Sequence, residues 1–263
     1  MITPENYYSQ EIDNQFLSVS QYNHFWGTSF RKGCEACTVA SLKGEWKTEP
    51  STAMLIGSYV DAYFSGELEK FKKETPQLFT LKGELRADFK NADEIIACAE
   101  SDKMFMDYVK GDGEAQVIVT GNIGGSQWKG RIDRLHRQLA IVDLKVVASI
   151  HDKIWDNFEG IKKNFVEAYG YIRQGAVYQE LWYQMSGEKL PFFIAAISKE
   201  KYPDKEIIQI HDLAMEYALK EIIENVPHMM RIKQGQFPPL RCEECDYCRA
   251  TKKLTNTITI YDL

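Results

Sequence analysis

The sequence lacks an apolar run of about 20 residues, the length that a membrane-spanning helix needs, so we expect no membrane segment. It also lacks the apolar core of a secretory signal, because its opening stretch, "MITPENYYSQEIDNQF", is polar and acidic. We therefore expect a cytoplasmic protein. Internal repeats and low-complexity linkers are missing too. Their absence favours one domain over residues 1–263, with a helical part at 1–110 and a cysteine-rich tail at 238–263.

An excess of positive charge is also missing. The chain has 32 Lys and Arg residues against 38 Asp and Glu residues, which gives a net charge of −6. This balance argues against a protein that coats nucleic acid through its overall charge, but it is compatible with an enzyme that has a local basic groove. Six cysteines in a chain without a secretory signal indicate free thiols or a metal site rather than disulfides.

The first part of the chain is predicted to be helical. The stretch "SVSQYNHFW" is typical of a helix start with Ser18 or Ser20 as the N-cap. Apolar residues at helical spacing predict further helices over 51–73 and 91–110. The composition then changes to short runs, several of them rich in β-branched residues. These runs predict strands over 114–121, 126–136, 139–147, 190–198 and 206–212, and helices over 165–187 and 213–233.

The order of these elements predicts an α/β (α+β) fold with a central mixed β-sheet flanked by helices. The first three strands are expected to form an antiparallel meander, because the turn sequences "GNIGG" and "HRQ" connect them. The third strand, "LAIVDLKVV", has apolar residues that do not alternate with polar ones, which indicates burial on both faces.

Two charged residues interrupt this buried strand. Asp143 and Lys145 are two positions apart, so their side chains share one face of the strand. A structural ion pair would explain them, since a buried charge is normally paired or bound to a metal. Antiparallel pairing would also bring Asp133, on the preceding strand, beside Asp143. Two converging carboxylates repel each other, and a divalent cation with oxygen ligands, Mg²⁺ or Mn²⁺, removes that cost.

The sequence "GRID", followed ten residues later by "DLK", resembles the core motif of the PD-(D/E)XK nuclease superfamily. The spacings Gln174-x-x-x-Tyr178 and Gly57-x-x-x-Asp61 are similar to motifs of its RecB-type and lambda-exonuclease-type branch, and together the motifs cover residues 51–182. The stretches "GEW", "GSYVDAYF" and "CDYCR" further resemble phage and prophage RecE-like (exodeoxyribonuclease VIII-like) nucleases. The resemblance implies a restriction-endonuclease-like core.

The same resemblance implies a metal site. Asp133, Asp143 and the backbone carbonyl of Leu144 would hold Mg²⁺ or Mn²⁺, which would activate a water and polarise the phosphodiester. Lys145 would orient or deprotonate that water, or offset charge in the transition state. Asp61 stands where this branch more often has a histidine, and we expect it to bind metal, with a solvated carboxylate on the helix surface as the alternative.

Two residues of the predicted 165–187 helix complete the implied catalytic set. Gln174 and Tyr178 lie about one helical turn apart, so they are neighbours on one helix face. They would hydrogen-bond a phosphate or position the DNA end. Taken without the strand motif, Tyr178 would be interpreted as a core aromatic residue and Gln174 as a solvated one.

Basic residues near these motifs are expected to form a local phosphate track, although a solvated charged surface would give the same pattern. The candidates for DNA contact are Lys129, Arg131 and Arg173. Trp155 and Phe158, in the loop expected after the third strand, would either stack on bases or pack against the protein.

Three of the six cysteines, Cys242, Cys245 and Cys248, form a C-x-x-C-x-x-C pattern that is one ligand short of a four-thiolate site. Cys34 or Cys37 could supply the fourth ligand. By resemblance, relatives in the RecB-type branch use this split arrangement to hold a [4Fe–4S] cluster, which implies Cys34 as the fourth ligand, with Cys37 as the alternative. Four thiolates also suit Zn²⁺, and free thiols on a surface tail are the simpler alternative.

The function implied by the resemblance is that of a metal-dependent DNA exonuclease. It would digest linear duplex DNA from the 5′ end and leave a 3′ strand for a RecT-like single-strand annealing protein in phage-type recombination. Related exonucleases imply a homo-oligomer, and the gene would belong to a phage or prophage of a bacterial host. The alternatives are a non-catalytic DNA-binding or scaffold protein on the same fold, and an endonuclease.

Overall fold

Helices and one short hairpin occupy the chain before the central sheet. The structure, a computed structural model, describes residues 1–262. The side chain of Ser18 accepts a hydrogen bond from the backbone N–H of Gln21, so Ser18 caps the helix that the sequence predicts there. The elements in chain order are α1 (Gln10–Gln15), α2 (Val19–Trp26), β1 (Gly27–Thr28), β2 (Arg31–Lys32), α3 (Glu35–Leu42), α4 (Thr52–Ser65), α5 (Leu68–Glu74), α6 (Asn91–Glu100) and α7 (Lys103–Val109).

The second part of the chain contains the sheet and the helices that cover one face of it. These elements are β3 (Glu114–Ile123), β4 (Ser126–His136), β5 (Ala140–Val147), β6 (Ile154–Asp156), β7 (Ile161–Lys163), α8 (Phe165–Ala168), α9 (Tyr171–Ser186), β8 (Phe192–Ser198), β9 (Lys205–Ile210), α10 (Asp212–Lys233) and α11 (Asp246–Ala250). Among the described residues, no helix combines the length and the apolar character that crossing a bilayer requires.

The central sheet has five strands in the order β3-β4-β5-β8-β9. Strands β5 and β8 are parallel, and the other neighbouring pairs are antiparallel. The predicted mixed sheet and the predicted meander of its first three strands are therefore confirmed. The crossover from β5 to β8 contains α9, as parallel neighbours require a long connection.

Three helices predicted as continuous are each divided in two. Gly66 adopts a left-handed conformation (φ +82°) and ends α4, so the predicted helix over 51–73 resumes only in α5. Asp102 caps α7 and separates it from α6 within 91–110. Gly170, also left-handed (φ +73°), separates α8 from α9 within 165–187. The prediction also missed the hairpin β6–β7, where a loop was expected.

Strand β5 is covered on both faces, as its apolar sequence predicts. Ala140, Val142 and Leu144 pack against a cluster that includes residues of α4, α6 and α7. Ile141 and Val147 pack on the opposite face in a cluster that includes residues of α9 and α10. Because side chains alternate along a strand, Asp143 and Lys145 occupy the two positions between Ile141 and Val147 on the α9 side. The charged pair thus interrupts the apolar face that meets α9.

Two glycines, Gly130 and Gly57, differ in the space that a side chain would find at each position. A Cβ added to Gly130 in β4 would lie 2.8 Å from a ring carbon of Tyr178, which is itself buried. A Cβ added to Gly57 in α4 would meet only Val146, at 3.9 Å. A side chain at position 130 would therefore force the Tyr178 ring out of place.

We expect Gly130→Ala to lower the free energy of unfolding by about 1–3 kcal/mol, because it overpacks the contact with Tyr178. The matched variant Gly57→Ala should be neutral or stabilising by up to about 1 kcal/mol, since alanine favours the interior of a helix. Urea denaturation of both variants measures the difference. Equal stability of the two variants would contradict the packing described here.

Candidate active site

The candidate site lies where β4 and β5 separate. Their antiparallel register pairs Arg134 with Val142, and the next opposing pair in that register is Asp133 with Asp143, where the described pairing has ended. The Asp133 carboxylate accepts a hydrogen bond from the backbone N–H of Leu144 at 2.9 Å. The backbone of β5 is thus bonded to a side chain of β4 at this point. The two aspartates that the sequence expected to converge do so.

Asp143 is the most deeply buried charged side chain of the site, with 1% exposure. Its Oδ1 accepts a hydrogen bond of 2.7 Å from the amide of Gln174 on α9. Its Oδ2 lies 2.5 Å from the ammonium nitrogen of Lys145, so the two side chains form a close, charge-assisted ion pair. Gln174 and Lys145 together hold the carboxylate in place.

Asp61 and Tyr178 complete the set predicted for the site. Asp61 on α4 accepts a long hydrogen bond of 3.4 Å from Gln116 on β3. Tyr178 is buried on α9, and its ring packs edge-to-face on Phe192 at 6.4 Å. Both residues line the same cleft, of about 530 Å³, as Asp133, Asp143, Lys145 and Gln174.

Electrostatics make this cleft unfavourable for several free carboxylates. Burial raises the pKa of Asp133 well above its ordinary value, and the nearby charges of Asp143 and Asp61 raise it further. Burial also raises the pKa of Asp61. Burial alone would lower the pKa of Lys145, but the combined effect of Asp143, Tyr171 and Asp133 is larger and raises it, so Lys145 is an ammonium ion rather than a ready base.

These observations fit a divalent cation. The carboxylates of Asp61, Asp133 and Asp143 line one cleft, and the single ammonium of Lys145 lies among them. Carboxylate oxygens are the ligands that Mg²⁺ and Mn²⁺ prefer. The backbone N–H of Leu144 donates a hydrogen bond to Asp133 at the site, and the role of the Leu144 carbonyl as a metal ligand stays a prediction.

The structure does not support two of the three predicted DNA contacts. Lys129 has 2% exposure, because its ammonium pairs with Asp13 at 2.7 Å and donates to the carbonyl of Tyr7. Arg173 donates to the carbonyl of Gly27 at 2.8 Å and pairs with Glu221 at 2.8 Å. Both cations join distant segments of the chain and are already neutralised or hydrogen-bonded.

Arg131, the third candidate, lies on the wall of the acidic cleft. Its guanidinium stacks over the rings of Tyr8 at 5.1 Å and Tyr7 at 5.8 Å, and lies 4.0 Å from Glu67. An ion pair of that length neutralises the guanidinium only weakly, so Arg131 is available to a phosphate.

The N-terminal segment forms a wall of the cleft that sequence reasoning missed. Its contributions come from the start of the chain, α2 and α3, and they include Tyr7, Tyr8, His24, Thr38 and Ser41. These residues carry no motif, and contacts between distant segments bring them there. Lys129 pairs with Asp13, and the backbone of Leu17 forms a bridge with that of Trp128. No local pattern could have revealed this wall.

Trp155 and Phe158 lie on the β6–β7 hairpin, with 53% and 64% exposure. Neither lines the acidic cleft. Phe158 borders a separate cavity between the first hairpin and α10. Stacking of these two side chains on bases within the acidic cleft therefore has no geometric support.

Four cysteines from the two ends of the chain converge. The sulfur atoms of Cys34, Cys242, Cys245 and Cys248 all lie within 4.8 Å of one another, and Cys34 Sγ is 3.6 Å from Cys248 Sγ. Cys34, rather than Cys37, is therefore the fourth member. A single ion with four thiolates at about 2.3 Å in tetrahedral geometry places its sulfur atoms roughly 3.8 Å apart. The arrangement fits a metal ion.

Comparison with known proteins agrees with this geometry. Residues 18–251 match the family described as PDDEXK-like domain of unknown function (DUF3799). The chain belongs to this family. The family places the chain among PD-(D/E)XK-type folds, and it confirms the superfamily that the strand motif resembles.

Solved structures include one near relative. A protein from Eubacterium rectale, named "Putative exonuclease", is 48% identical over all of this chain and 97% of its own, with a TM-score of 0.95. Another solved chain, SSO0001, is 14% identical over 70% of this chain and 80% of its own, and its TM-score is only 0.30. A comparison with the curated proteins finds no match. The family and the Eubacterium rectale protein identify this chain as nuclease-like.

Lys129 and Arg131 are expected to respond differently to substitution. Lys129→Ala leaves the Tyr7 carbonyl and Asp13 without their partner, and should lower the free energy of unfolding by on the order of 3 kcal/mol. Arg131→Ala should lower it by about 1 kcal/mol or less, but should weaken the binding of a fluorescent DNA duplex. Urea denaturation and fluorescence anisotropy measure the two effects. A DNA-binding defect in folded Lys129→Ala as large as that of Arg131→Ala would contradict these assignments.

Proposed function

We propose that this protein is a metal-dependent deoxyribonuclease that removes nucleotides from the ends of linear duplex DNA. The observation that carries the proposal is the convergence of Asp133, Asp143 and Lys145 in one cleft, where two carboxylates lie near a single ammonium. A purely structural ion pair would not need a second carboxylate that faces the first.

The residues of the cleft have distinct roles in this proposal. Asp133 and Asp143 bind the cation, with Asp61 as a third carboxylate. Gln174 is a positioning residue, because its amide fixes the orientation of the Asp143 carboxylate. Lys145, held as an ammonium, stabilises the negative charge that builds on the phosphate in the transition state. Tyr178 packs closely against Gly130 and lines the cleft. A divalent cation bound there supplies Lewis acidity towards the phosphodiester and lowers the pKa of water.

Action at DNA ends is the finer part of the proposal. The name of the Eubacterium rectale protein favours an exonuclease over an endonuclease. We further propose 5′-to-3′ digestion, which would leave a 3′ strand for a single-strand annealing protein. A non-catalytic DNA-binding protein on the same fold is the second candidate, and the intact set of two aspartates and one lysine disfavours it.

We expect the wild-type protein to digest linear duplex DNA in the presence of Mg²⁺ or Mn²⁺, and Asp143→Ala to reduce the rate by at least about a hundredfold, because it removes a cation ligand. The matched variant Asp152→Ala removes an exposed carboxylate outside the cleft and should digest at the wild-type rate. Duplexes labelled at one 5′ or one 3′ end report the rate and the direction in one assay.

Closed circular DNA provides the second arm of this experiment. An exonuclease leaves covalently closed circles intact, whereas an endonuclease nicks them. Digestion of circles at the rate of linear DNA would overturn the action at ends. Absence of digestion by the wild type with either cation would favour the non-catalytic candidate.

We also propose that the four cysteines hold one Zn²⁺ ion. The sulfur separations of 3.6 Å and 3.9 Å support a single tetrahedral ion, because a [4Fe–4S] cluster is larger and holds its four thiolates farther apart. Burial raises the pKa values of Cys34 and Cys245 to about 12, so a cation is needed to keep these thiolates ionised side by side. The ion would join the start of α3 to the C-terminal segment.

Metal analysis of the purified protein should give about one zinc per chain and no visible absorbance, because Zn²⁺ is colourless. Cys242→Ser should lose the zinc and lower the melting temperature, since a structural ion contributes folding free energy. Cys98→Ser, a cysteine outside the cluster, should retain it. Iron with a brown colour after anaerobic purification would favour the [4Fe–4S] cluster instead, and a metal-free protein would overturn both.

A further inference from the structure

A second cavity, of about 370 Å³, adjoins the acidic cleft, and the proposed catalytic roles do not use it. The two cavities share His24, Thr38 and Ser41 as a common border. Beyond that border the second cavity runs between the β1–β2 hairpin and the C-terminal cysteine segment. We call it the side groove, and its lining includes Cys34, Cys242 and Cys245 of the cysteine cluster. Its rim carries the exposed Phe30, Arg31 and Arg249 and the half-buried Trp46 and Tyr247.

Aromatic rings connect the side groove to the catalytic lysine. The Phe30 ring lies 5.2 Å from that of Tyr169, and Tyr169 stacks on Tyr171 at 5.8 Å with an interplanar angle of 28°. The ring of Tyr171 lies 4.8 Å from the ammonium of Lys145. Successive aromatic rings along a path are the feature on which unpaired bases stack in single-strand binding proteins.

The groove also carries two arginines without a close ion-pair partner, beside the carboxylates of Glu244 and Asp246. Arg31 is exposed and has no carboxylate partner within residues 1–262. Arg249 is 70% exposed, and its contact with Asp246 is 3.9 Å long, which makes that pair weak. Only Lys32 is firmly paired, with Glu244 at 2.8 Å. In a chain with a net charge of −6, two available arginines beside an aromatic rim form a local site for a polyanion.

We propose that the side groove binds single-stranded DNA, namely the unpaired strand continuous with the nucleotide in the acidic cleft. Phe30 and Trp46 stack on its bases, and Arg31 and Arg249 contact its phosphates. A paired base offers its faces to its duplex neighbours, so an aromatic path of this kind selects an unpaired strand. This inference rests on the proposed function for its connection to catalysis, but the binding itself can be tested without cleavage.

Fluorescence anisotropy with a labelled oligothymidylate tests the groove in the digestion-deficient Asp143→Ala background. Phe30→Ala should raise the Kd at least about fivefold, the lower end of the effect of removing one stacking ring. Arg31→Ala should raise the Kd and reduce the slope of log K against log salt by about 0.7, because one phosphate contact is lost. Both side chains are exposed, so both variants should keep the parent's melting temperature.

Phe158→Ala is the matched control. Phe158 is 64% exposed against 65% for Phe30, and it also lies on a hairpin, but it borders a different cavity. The control should change the Kd less than twofold. Three results would each overturn single-strand binding in the side groove. They are an equal rise of the Kd in both phenylalanine variants, an unchanged Kd in Phe30→Ala, and an equal rise of the Kd for duplex and single-stranded DNA.

The outcome separates this inference from the proposed function. If the protein with wild-type Asp143 digests DNA but Phe30→Ala binds oligothymidylate normally, the proposal of single-strand binding in the side groove is wrong and the nuclease assignment stands. If the wild type digests no DNA but Phe30→Ala and Arg31→Ala selectively lose affinity for oligothymidylate, single-strand binding in the side groove stands and the nuclease assignment fails.

Discussion

The candidate site depends on the point where β4 and β5 separate, next to their last paired residues, Arg134 and Val142. Asp133 and Asp143 are the next residues in that register, and they face each other across the gap. At this gap the backbone N–H of Leu144 donates a hydrogen bond to Asp133. The contact that follows the end of the strand pairing therefore also holds the Asp133 carboxylate in place. The other carboxylate is fixed from α9 by Gln174. Both acids are therefore held before any ligand arrives, which is how a cation site is preorganised.

The opposite wall of the cleft depends on contacts between distant parts of the chain. The buried ion pair between Lys129 and Asp13 anchors the N-terminal segment to β4. The convergence of Cys34 with the C-terminal cysteines holds the start of α3. Because the backbone N–H of Cys34 donates a hydrogen bond to the carbonyl of His24, the cysteine site also positions the residue that borders both cavities. A metal at the cysteines would thus stabilise the cleft without touching its chemistry.

Much of the fold could be predicted because its signals are local. The unbroken apolar run of β5 predicted a strand covered on both faces, and the spacing of Asp143 and Lys145 predicted that they share one of those faces. The breaks at Gly66 and Gly170 were missed because apolar spacing continues through each glycine, and only the positive φ reveals the end of a helix. The role of Lys129 was missed because its partner is 116 positions away, and sequence proximity to a motif does not tell a buried cation from an exposed one.

The charges of the site determine the order in which a cation and a DNA phosphate can bind there. The carboxylates that attract a cation also repel a phosphate, and burial in the cleft strengthens both effects. Lys145 is paired with Asp143 and therefore offers little net attraction to DNA before the cation binds. The cations that remain available, Arg131 above the acidic cleft and Arg31 in the side groove, lie outside the carboxylate cluster. Under the proposed function, these peripheral arginines would capture DNA, and the DNA backbone would approach the carboxylates only where a divalent ion has reversed their charge.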